Sequence, residues 1–312
     1  MNNVFKKISF KKKKNEYNRL ITMATSLAIL LSFTLLILKI LAWWYTKSIS
    51  MLAACMDSLI DITSSIINLS IIYYSLQPAD SEHTFGHGKA ESLSALTQSI
   101  FVCGSAVFLF LNSLRYLSHP EKLNYPIIGI IVIITSFILT LILVIFQKKV
   151  IYKTNSQATH ADMIHYESDI LINSAILAAL ILNFYNIKKA DSLIASVISI
   201  FIFYNSFKVG YKAIQSLLDK SLPNKEKNII INLISSWPRV MGAHQLKTRQ
   251  SGPTRFIQFH LVLDDNLPLL ESHSIAEEIE NALNKKFPYS EIIIHQDPYS
   301  IVSEKYKGFF KN

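Results

Sequence analysis

Six long apolar runs limit what this chain can fold into. They lie near residues 21–44, 50–76, 91–117, 125–147, 160–184 and 190–211. A bilayer core about 30 Å thick needs roughly 20 apolar residues in a helix to cross it. The sequence is 50% hydrophobic and 17% charged, with a mean hydropathy of +0.30, which is too apolar for an ordinary soluble enzyme. We therefore predict an all-α transmembrane bundle of six helices.

The character of the sequence changes after the last apolar run. From about residue 219 charges become frequent, prolines recur and no apolar run reaches spanning length. This stretch is long enough for one small soluble domain. We predict four parts: a basic segment at 1–20, the transmembrane part at 21–211, a soluble domain at 212–300 and a tail at 301–312.

Basic residues are concentrated ahead of the first apolar run. They account for much of the net charge of +9 and comprise Lys6, Lys7, Lys11, Lys12, Lys13, Lys14 and Arg19. Such a cluster is typical of a cytoplasmic flank next to lipid, not of a nucleic-acid site. Since six spans return the chain to its starting side, we predict a multi-pass protein of the cytoplasmic (inner) membrane with both termini in the cytoplasm.

Two of the apolar runs carry paired polar residues. Asp57 and Asp61 lie four residues apart in the second run, and His165 and Asp169 have the same spacing in the fifth. Residues at this spacing share one helix face, although a charge at the bilayer centre costs at least about 2.5 kcal/mol. Three carboxylates and an imidazole could surround a tetrahedral divalent cation, whose charge would offset that cost. The ligand types suit zinc, ferrous iron, cadmium or manganese, with manganese less favoured by the imidazole.

An alternative is that these polar residues only join helices through hydrogen bonds. Asn68 and Asn173 fit that interpretation better than a ligand role, whereas matched pairs with three carboxylates fit it poorly. Protons compete with a metal for carboxylate and imidazole groups, and His165 would titrate nearest physiological pH. The pattern therefore predicts exchange of metal for protons.

The segment after the second run holds another group of possible ligands. Asp80, His83 and His87 fall within eight residues, beside Gly86 and Gly88, which free the backbone to bend. They predict either an exposed zinc site or an ordinary solvated loop. An ion pair between Lys89 and Asp219 is also possible.

The soluble part is predicted as helix, strand, strand, helix and a short buried strand, forming an α+β layer. In its second helix Ile275, Ile279 and Leu283 recur at four-residue steps. Its histidines are His244, His260, His273 and His295, with Asp297 nearby. Each alone would be an ordinary surface or core histidine, but together they predict a regulatory site for more than one metal.

Sequence signatures of enzymes are missing. The chain contains no HExxH, no nucleophile elbow and no Walker-type phosphate loop. With only Cys55 and Cys103, a disulfide framework or a thiolate zinc site is also disfavoured. We predict that the protein is not an enzyme.

Several longer strings are distinctive in combination. They are DSLIDI, YSLQPAD, HTFGHGKAESL, ADMIHYESD, QSLLDK, TRQSGPTRFIQ and IIIHQDP. Through them the sequence resembles bacterial members of the cation diffusion facilitator family, from about residue 20 to residue 300. The resemblance implies six transmembrane helices, a ferredoxin-like cytoplasmic domain and a homodimer that exports zinc, ferrous iron or cadmium.

The resemblance also implies which residues bind metal. The family's transport site corresponds to Asp57, Asp61, His165 and Asp169. The family's loop site corresponds to Asp80, His83 and His87. The family's binuclear C-terminal site corresponds to His244, His260, His273, His295, Gln296 and Asp297. A charge interlock corresponds to Lys89 and Asp219, and zinc or a similar ion would be both transported and regulatory, with protons as the counter-ion.

Three functions remain open from the sequence. The leading one is proton-coupled export of a divalent metal by alternating access. A passive channel or metal sensor is the second, although a four-ligand site would bind more tightly than a channel needs. A membrane metallohydrolase is the third, and nothing in the sequence supplies its substrate pocket.

Overall fold

The computed structural model describes residues 2–46, 49–118, 127–184, 190–302 and 309–310. The chain divides into two compact units. One comprises residues 16–214, and the other comprises residues 215–312 together with the first 15.

Six long helices make up nearly all of the first unit. They are α1 (Asn2–Thr46), α2 (Ile49–Ser75), α3 (Lys89–Ser118), α4 (Ile127–Thr154), α5 (Gln157–Phe184) and α6 (Ala190–Leu217). α1 begins well before the first apolar run, and α4 and α6 continue past residues 147 and 211. No glycine or proline interrupts these extensions, and their lysine, glutamine and alanine residues favour helix.

Five of the described helices are long and apolar enough to cross a membrane. The segments are Asn15–Thr46, Ala54–Ser75, Lys89–Arg115, Ile127–Thr154 and Ser192–Leu217. α5 is not in this set, and its first half carries Asp162, Glu167 and Asp169. The α2 segment is among the least hydropathic of the five. The two helices with the paired polar residues are therefore those that hydropathy identifies least clearly as membrane spans.

Side chains in this unit are sorted in the manner of a membrane protein. Small and hydroxyl residues such as Ala24, Ala28 and Ser32 are buried, whereas Leu30 and Phe108 are exposed. Lipid tails are as apolar as leucine, so helices in a bilayer associate through small residues and hydrogen bonds. Contact with lipid therefore explains why large apolar side chains are exposed on this unit.

Glu91 joins three helices. Its side chain is 4% exposed and lies in the first turn of α3. Oε2 accepts a hydrogen bond from the Tyr17 hydroxyl of α1 at 2.6 Å, and Oε1 accepts one from the backbone N–H of Gln157 at 2.7 Å. Because Gln157 begins α5, the carboxylate also stabilises the positive end of that helix.

α4 and α5 are linked by only two residues. Asn155 takes a left-handed conformation with φ 52°, and the Ser156 hydroxyl accepts a hydrogen bond from the backbone N–H of Thr159 at 3.1 Å. A serine in this position satisfies an otherwise free donor at a helix start. The two helices consequently form a tight antiparallel hairpin.

The C-terminal domain is a four-stranded sheet with helices against one face. Its elements are α7 (Asn224–Ser235), β1 (Gly242–Ser251), β2 (Thr254–Leu263), α8 (Leu269–Lys286), β3 (Ser290–Pro298), α9 (Tyr299–Val302) and β4 (Phe309–Phe310). The strand order is β3-β2-β1-β4, with β3 parallel to β2 and the other pairs antiparallel. The α+β prediction is confirmed, while α9 and the fourth strand were not predicted.

The core of this domain lies between the sheet and the helices. Ile275, Ile279 and Leu283 of α8 are buried against Ile257 and Leu261 of β2. The predicted amphipathic face is therefore the packing face. The prediction that the last strand is buried was wrong: β3 is at the sheet edge, has partly or fully exposed side chains throughout, and Ile293 is 52% exposed.

Replacement of Glu91 should loosen the joint between α1, α3 and α5. Glu91→Ala removes the hydrogen bonds that the Tyr17 hydroxyl and the Gln157 N–H donate to this carboxylate, and each loss should cost about 1–3 kcal/mol. We expect the purified protein in detergent to melt at a lower temperature than the wild type. Glu82→Ala, which removes an exposed carboxylate from the neighbouring loop, is the matched control. Equal melting temperatures for both variants would contradict this role.

Candidate metal centres

Three of the four residues predicted for the intramembrane site lie together. The Nε2 atom of His165 is 3.3 Å from Asp61 Oδ1 and 4.0 Å from Asp169 Oδ2. Asp61 comes from α2, and the other two come from successive turns of α5. One ligand atom from each residue lies within 4.8 Å of the others. The side chain of Asp57, the fourth predicted ligand, lies outside the described part of the structure.

The central nitrogen has the environment of a metal ligand. His165 Nε2 is buried and has no aligned hydrogen bond within the described residues, although Asp61 Oδ1 is close. A lone pair that faces two carboxylates is unfavourable unless a cation or proton lies between them. Two carboxylates and an imidazole therefore fit a divalent cation of the zinc type.

Tyr166 fixes the helix that carries His165. Its side chain is 1% exposed. Its hydroxyl shares hydrogen bonds with Ser32 of α1 at 2.9 Å and Ser65 of α2 at 3.0 Å, and lies 3.3 Å from the carbonyl oxygen of Ala28. These contacts join α5 to the helix that supplies Asp61.

The loop between α2 and α3 gathers its three predicted ligands. Asp80 Oδ1 lies 3.5 Å from His83 Nδ1, and Oδ2 lies 3.3 Å from His87 Nε2. His87 is buried against the ring of Tyr74, and its Nδ1 lies 3.2 Å from the carbonyl oxygen of Pro78. Gly86 bends the chain between the histidines with φ 76°.

Asp80 is held in its ionised form. Its Oδ1 accepts hydrogen bonds from the backbone N–H groups of His83 at 2.6 Å and Glu82 at 3.0 Å. The bond from His83 is the main cause that lowers the pKa of Asp80 below its ordinary value. The loop thus presents a carboxylate and two imidazoles, a set that could hold an exposed zinc ion.

In the C-terminal domain, three histidines form a row across the sheet. His244 of β1 is opposite His260 of β2, which is opposite His295 of β3. Asp297 Oδ2 lies 3.1 Å from His244 Nε2 and 2.7 Å from His260 Nδ1, and its Oδ1 lies 3.1 Å from His295 Nε2. The four side chains share the sheet face opposite α7 and α8, so this open face carries a cluster of side chains that could hold a metal ion.

A β-bulge places His244 in that row. In β1, residues 242–244 and 247–251 pair with β2 in registers that differ by one residue, and Gln245 has φ 51°. Beyond the bulge, Lys247 and Arg249 occupy the open face, whereas Thr248 is opposite the core residue Ile257. If β1 paired regularly in the register of residues 247–251, Gln245 would be opposite His260 and His244 would turn toward the core.

Two predicted C-terminal ligands are not with the cluster. Gln296 lies on the helix side of β3, where its Oε1 accepts a hydrogen bond from the Ser272 hydroxyl of α8. His273 is exposed on α8, and none of the described contacts links it to the histidine row. A ligand role for either stays a prediction.

The predicted interlock remains untested. Asp219 Oδ1 lies 3.4 Å from Arg249 Nη1 within the C-terminal unit. Lys89 begins α3 in the other unit. The pairing of Lys89 with Asp219 therefore stays a prediction.

Sequence reasoning missed Asp162, which is 1% exposed. It lies three residues before His165 on α5, so it shares the face of that helix that carries the site. The string ADMIHYESD contains this signal, since an aspartate, a histidine and an aspartate follow one another at steps of three and four.

Both units of the chain match known protein families. Residues 26–218 match the profile of the cation efflux transmembrane domain, and residues 222–299 match that of the cytoplasmic domain of cation efflux proteins. The chain belongs to the cation efflux family. The resemblance to cation diffusion facilitators predicted from the sequence is thereby confirmed.

Similarity to relatives in this family extends over nearly the whole chain. The cation-efflux pump FieF of Cronobacter sakazakii is 53% identical over 298 residues, which cover 96% of this chain and 99% of that protein. FieF of Citrobacter koseri is 54% identical over 293 residues, with 94% and 98% covered. A solved structure of the zinc transporter CzrB is 37% identical, covers 25% of this chain and 96% of its own, and has a TM-score of 0.24.

Membership in the cation efflux family defines the general character of the protein. It is a multi-pass membrane transporter for metal cations with a metal-binding cytoplasmic domain. The relatives are named as pumps, in agreement with the prediction that the chain is not an enzyme.

The cytoplasmic cluster should lose zinc affinity when Asp297 is removed. We expect Asp297→Ala to weaken zinc binding by about tenfold or more, because this carboxylate contacts all three histidines of the row. Glu277→Ala is the matched control and should leave the affinity unchanged, since it removes an exposed carboxylate of α8 that lies outside the cluster. Both are compared by calorimetry in a full-length chain carrying Asp61→Ala and Asp80→Ala. An affinity of Asp297→Ala equal to that of Glu277→Ala would contradict the assignment.

Proposed function

We propose that the protein exports a divalent metal cation in exchange for protons by alternating access. The observation that carries the proposal is the approach of Asp61 and Asp169 to the buried Nε2 of His165 inside a bundle of apolar helices. We include Asp57 as the fourth ligand, which would complete a tetrahedral site.

Proton coupling follows from the chemistry of these ligands. Carboxylates and imidazole bind a metal only when deprotonated, so protons and metal compete for the same atoms. Protons that enter from the more acidic side would displace the metal there and reset the site. An ion bound to the buried Nε2 of His165 between two helices would also need a conformational change before it can leave, which supports alternating access over an open pore.

We propose zinc, ferrous iron and cadmium as the transported ions, because each accepts mixed oxygen and nitrogen ligands. The basic N-terminal segment supports a cytoplasmic location for both termini in an inner membrane rich in anionic lipid. The net outward direction rests on family membership.

We assign the other clusters to regulation or assembly. Asp80, His83 and His87 would hold one metal, and the histidine row with Asp297 would hold metal in the cytoplasmic domain of a homodimer. His273 and Gln296 remain proposed ligands of a second metal there, and Lys89 with Asp219 a proposed interlock. The proposed parts are 1–20, 21–211, 212–300 and 301–312.

The site assignment predicts loss of transport when Asp61 is removed. In proteoliposomes, Asp61→Ala should reduce zinc flux to the level of empty liposomes, because the remaining ligands cannot close a site around the ion. Glu167→Gln is the matched control, since it neutralises an acid between His165 and Asp169 on the same helix that is not in the cluster. Unchanged flux in Asp61→Ala would refute the assignment, provided that circular dichroism shows both variants folded.

Coupling to protons distinguishes the exporter from a passive channel. With equal zinc on both sides, an imposed pH gradient should drive zinc toward the acidic compartment, because protons displace the metal there. A channel would show no net flux under these conditions. Net zinc movement that is unaffected by the gradient would exclude antiport.

The choice of metal is testable in cells. A strain lacking the gene should become sensitive to the exported ion, and the plasmid-borne gene should restore growth only when Asp61 is intact. Growth in graded zinc, ferrous iron and cadmium identifies the ion. Metal-dependent hydrolysis by a protein that fails to transport would instead favour the metallohydrolase alternative.

A further inference from the structure

Asp162 lies in a buried polar network that belongs to none of the three clusters. Its carboxylate is 1% exposed and lies one turn before His165 on α5. The Nε2 of Gln98 on α3 donates a hydrogen bond to Asp162 Oδ1 at 3.2 Å, and the Nε2 of Gln147 on α4 donates one to Asp162 Oδ2 at 2.7 Å. Helices α3 and α4 therefore both contact this one acid.

The second layer of the network is also uncharged. The Ser64 hydroxyl of α2 donates to Gln98 Oε1 at 3.3 Å, and the Ser94 hydroxyl of α3 donates to Asn68 Oδ1 of α2. Within the described residues, no lysine or arginine forms an ion pair with Asp162. Neutral donors stabilise the carboxylate, whereas burial away from water favours the neutral acid.

A role in helix packing alone does not explain the choice of an acid. An asparagine could make similar hydrogen bonds without the cost of a buried charge. Moreover, Gln147 Oε1 is buried and has no hydrogen-bond partner in the described part of the chain. Rotation of that amide by half a turn would let Oε1 accept the O–H of a protonated Asp162. The pair can thus satisfy either protonation state.

Other ionisable groups border this network. Those that interact electrostatically with Asp162 are His165 and Tyr166 of its own helix. On the helices packed against it, the ionisable residues near the contacting positions are Asp61 of α2, Glu91 of α3 and Lys148 of α4. Among these, His165 and Asp61 change their effective charge when a metal binds.

We propose that Asp162 binds and releases a proton during transport, in addition to the metal ligands. The proposal rests on the proposed antiport. With the transport site empty, Asp162 is the neutral acid. A dication bound one turn away favours the carboxylate, so the O–H bond breaks, the proton passes to water as hydronium, and Gln98 and Gln147 donate to the resulting anion. Release of the metal on the other side allows a proton from water to return to the same oxygen.

Proton release on metal binding tests this role. Full-length protein in weakly buffered detergent is titrated with zinc while an indicator dye reports protons released, over about pH 5.5 to 8, where histidine and perturbed carboxyl groups titrate. We expect Asp162→Asn to release up to about one proton fewer per bound zinc than the wild type at the pH where Asp162 is protonated. Ser94→Ala loosens the same network without removing the carboxyl group, and should release the wild-type number.

The outcomes separate this inference from the proposed function. If the wild type binds zinc without releasing protons, the antiport proposal fails. If the wild type releases protons and Asp162→Asn releases as many at every pH, only the role of Asp162 is overturned. Equal losses in Asp162→Asn and Ser94→Ala would also overturn it, because the effect would then be structural.

Infrared spectroscopy of the wild type provides a second test, which does not require Asp162→Asn to fold. In the wild type, the carbonyl band of a protonated buried carboxyl group should decrease when zinc binds, because the acid becomes a carboxylate. Asp162→Glu, which keeps a carboxyl group at this position, should retain the band change. A wild-type spectrum without any such change on zinc binding would overturn the proposal.

Discussion

Burial of charge among apolar helices is the constraint on which this molecule depends. Asp61, Asp169 and Asp162 lie where a lone carboxylate is costly. The first two converge on one imidazole nitrogen, and the third accepts hydrogen bonds from two amides. The helices must keep these partners in register, because a small displacement would leave a buried charge without compensation.

The contacts of α5 keep these partners of the buried carboxylates in register. Glu91 holds its first residue, the link to α4 is two residues long, and the Tyr166 hydroxyl contacts hydroxyl groups of α1 and α2. His165 and Asp169 are therefore on a helix with fixed neighbours at its start and beside the site. The short link and the packing between α4 and α5 hold these two helices together as one hairpin.

Spacing was enough to predict which candidate ligands lie together but not their complete geometry. Matched four-residue steps brought His165 and Asp169 onto one face, and membrane energetics paired them with Asp61. Gln296 and Asp297 are adjacent in sequence, yet strand alternation places them on opposite faces, and strand boundaries alone could not show which face holds the histidines. β3 was predicted as buried from its isoleucines, since sequence does not reveal which strand is at an edge. Asp162 was missed because its partners Gln98 and Gln147 come from distant helices.

The bulge in β1 makes the cytoplasmic cluster depend on strand register as well as residue identity. If the same residues paired regularly in the register of residues 247–251, Gln245 would be opposite His260, and His244 would turn into the hydrophobic layer. A related protein can thus retain all of these ligands and still lack the cluster if its first strand pairs without a bulge. For sequences of this kind, the odd spacing between His244 and the next residue on the same face, Lys247, is as informative as the histidines themselves.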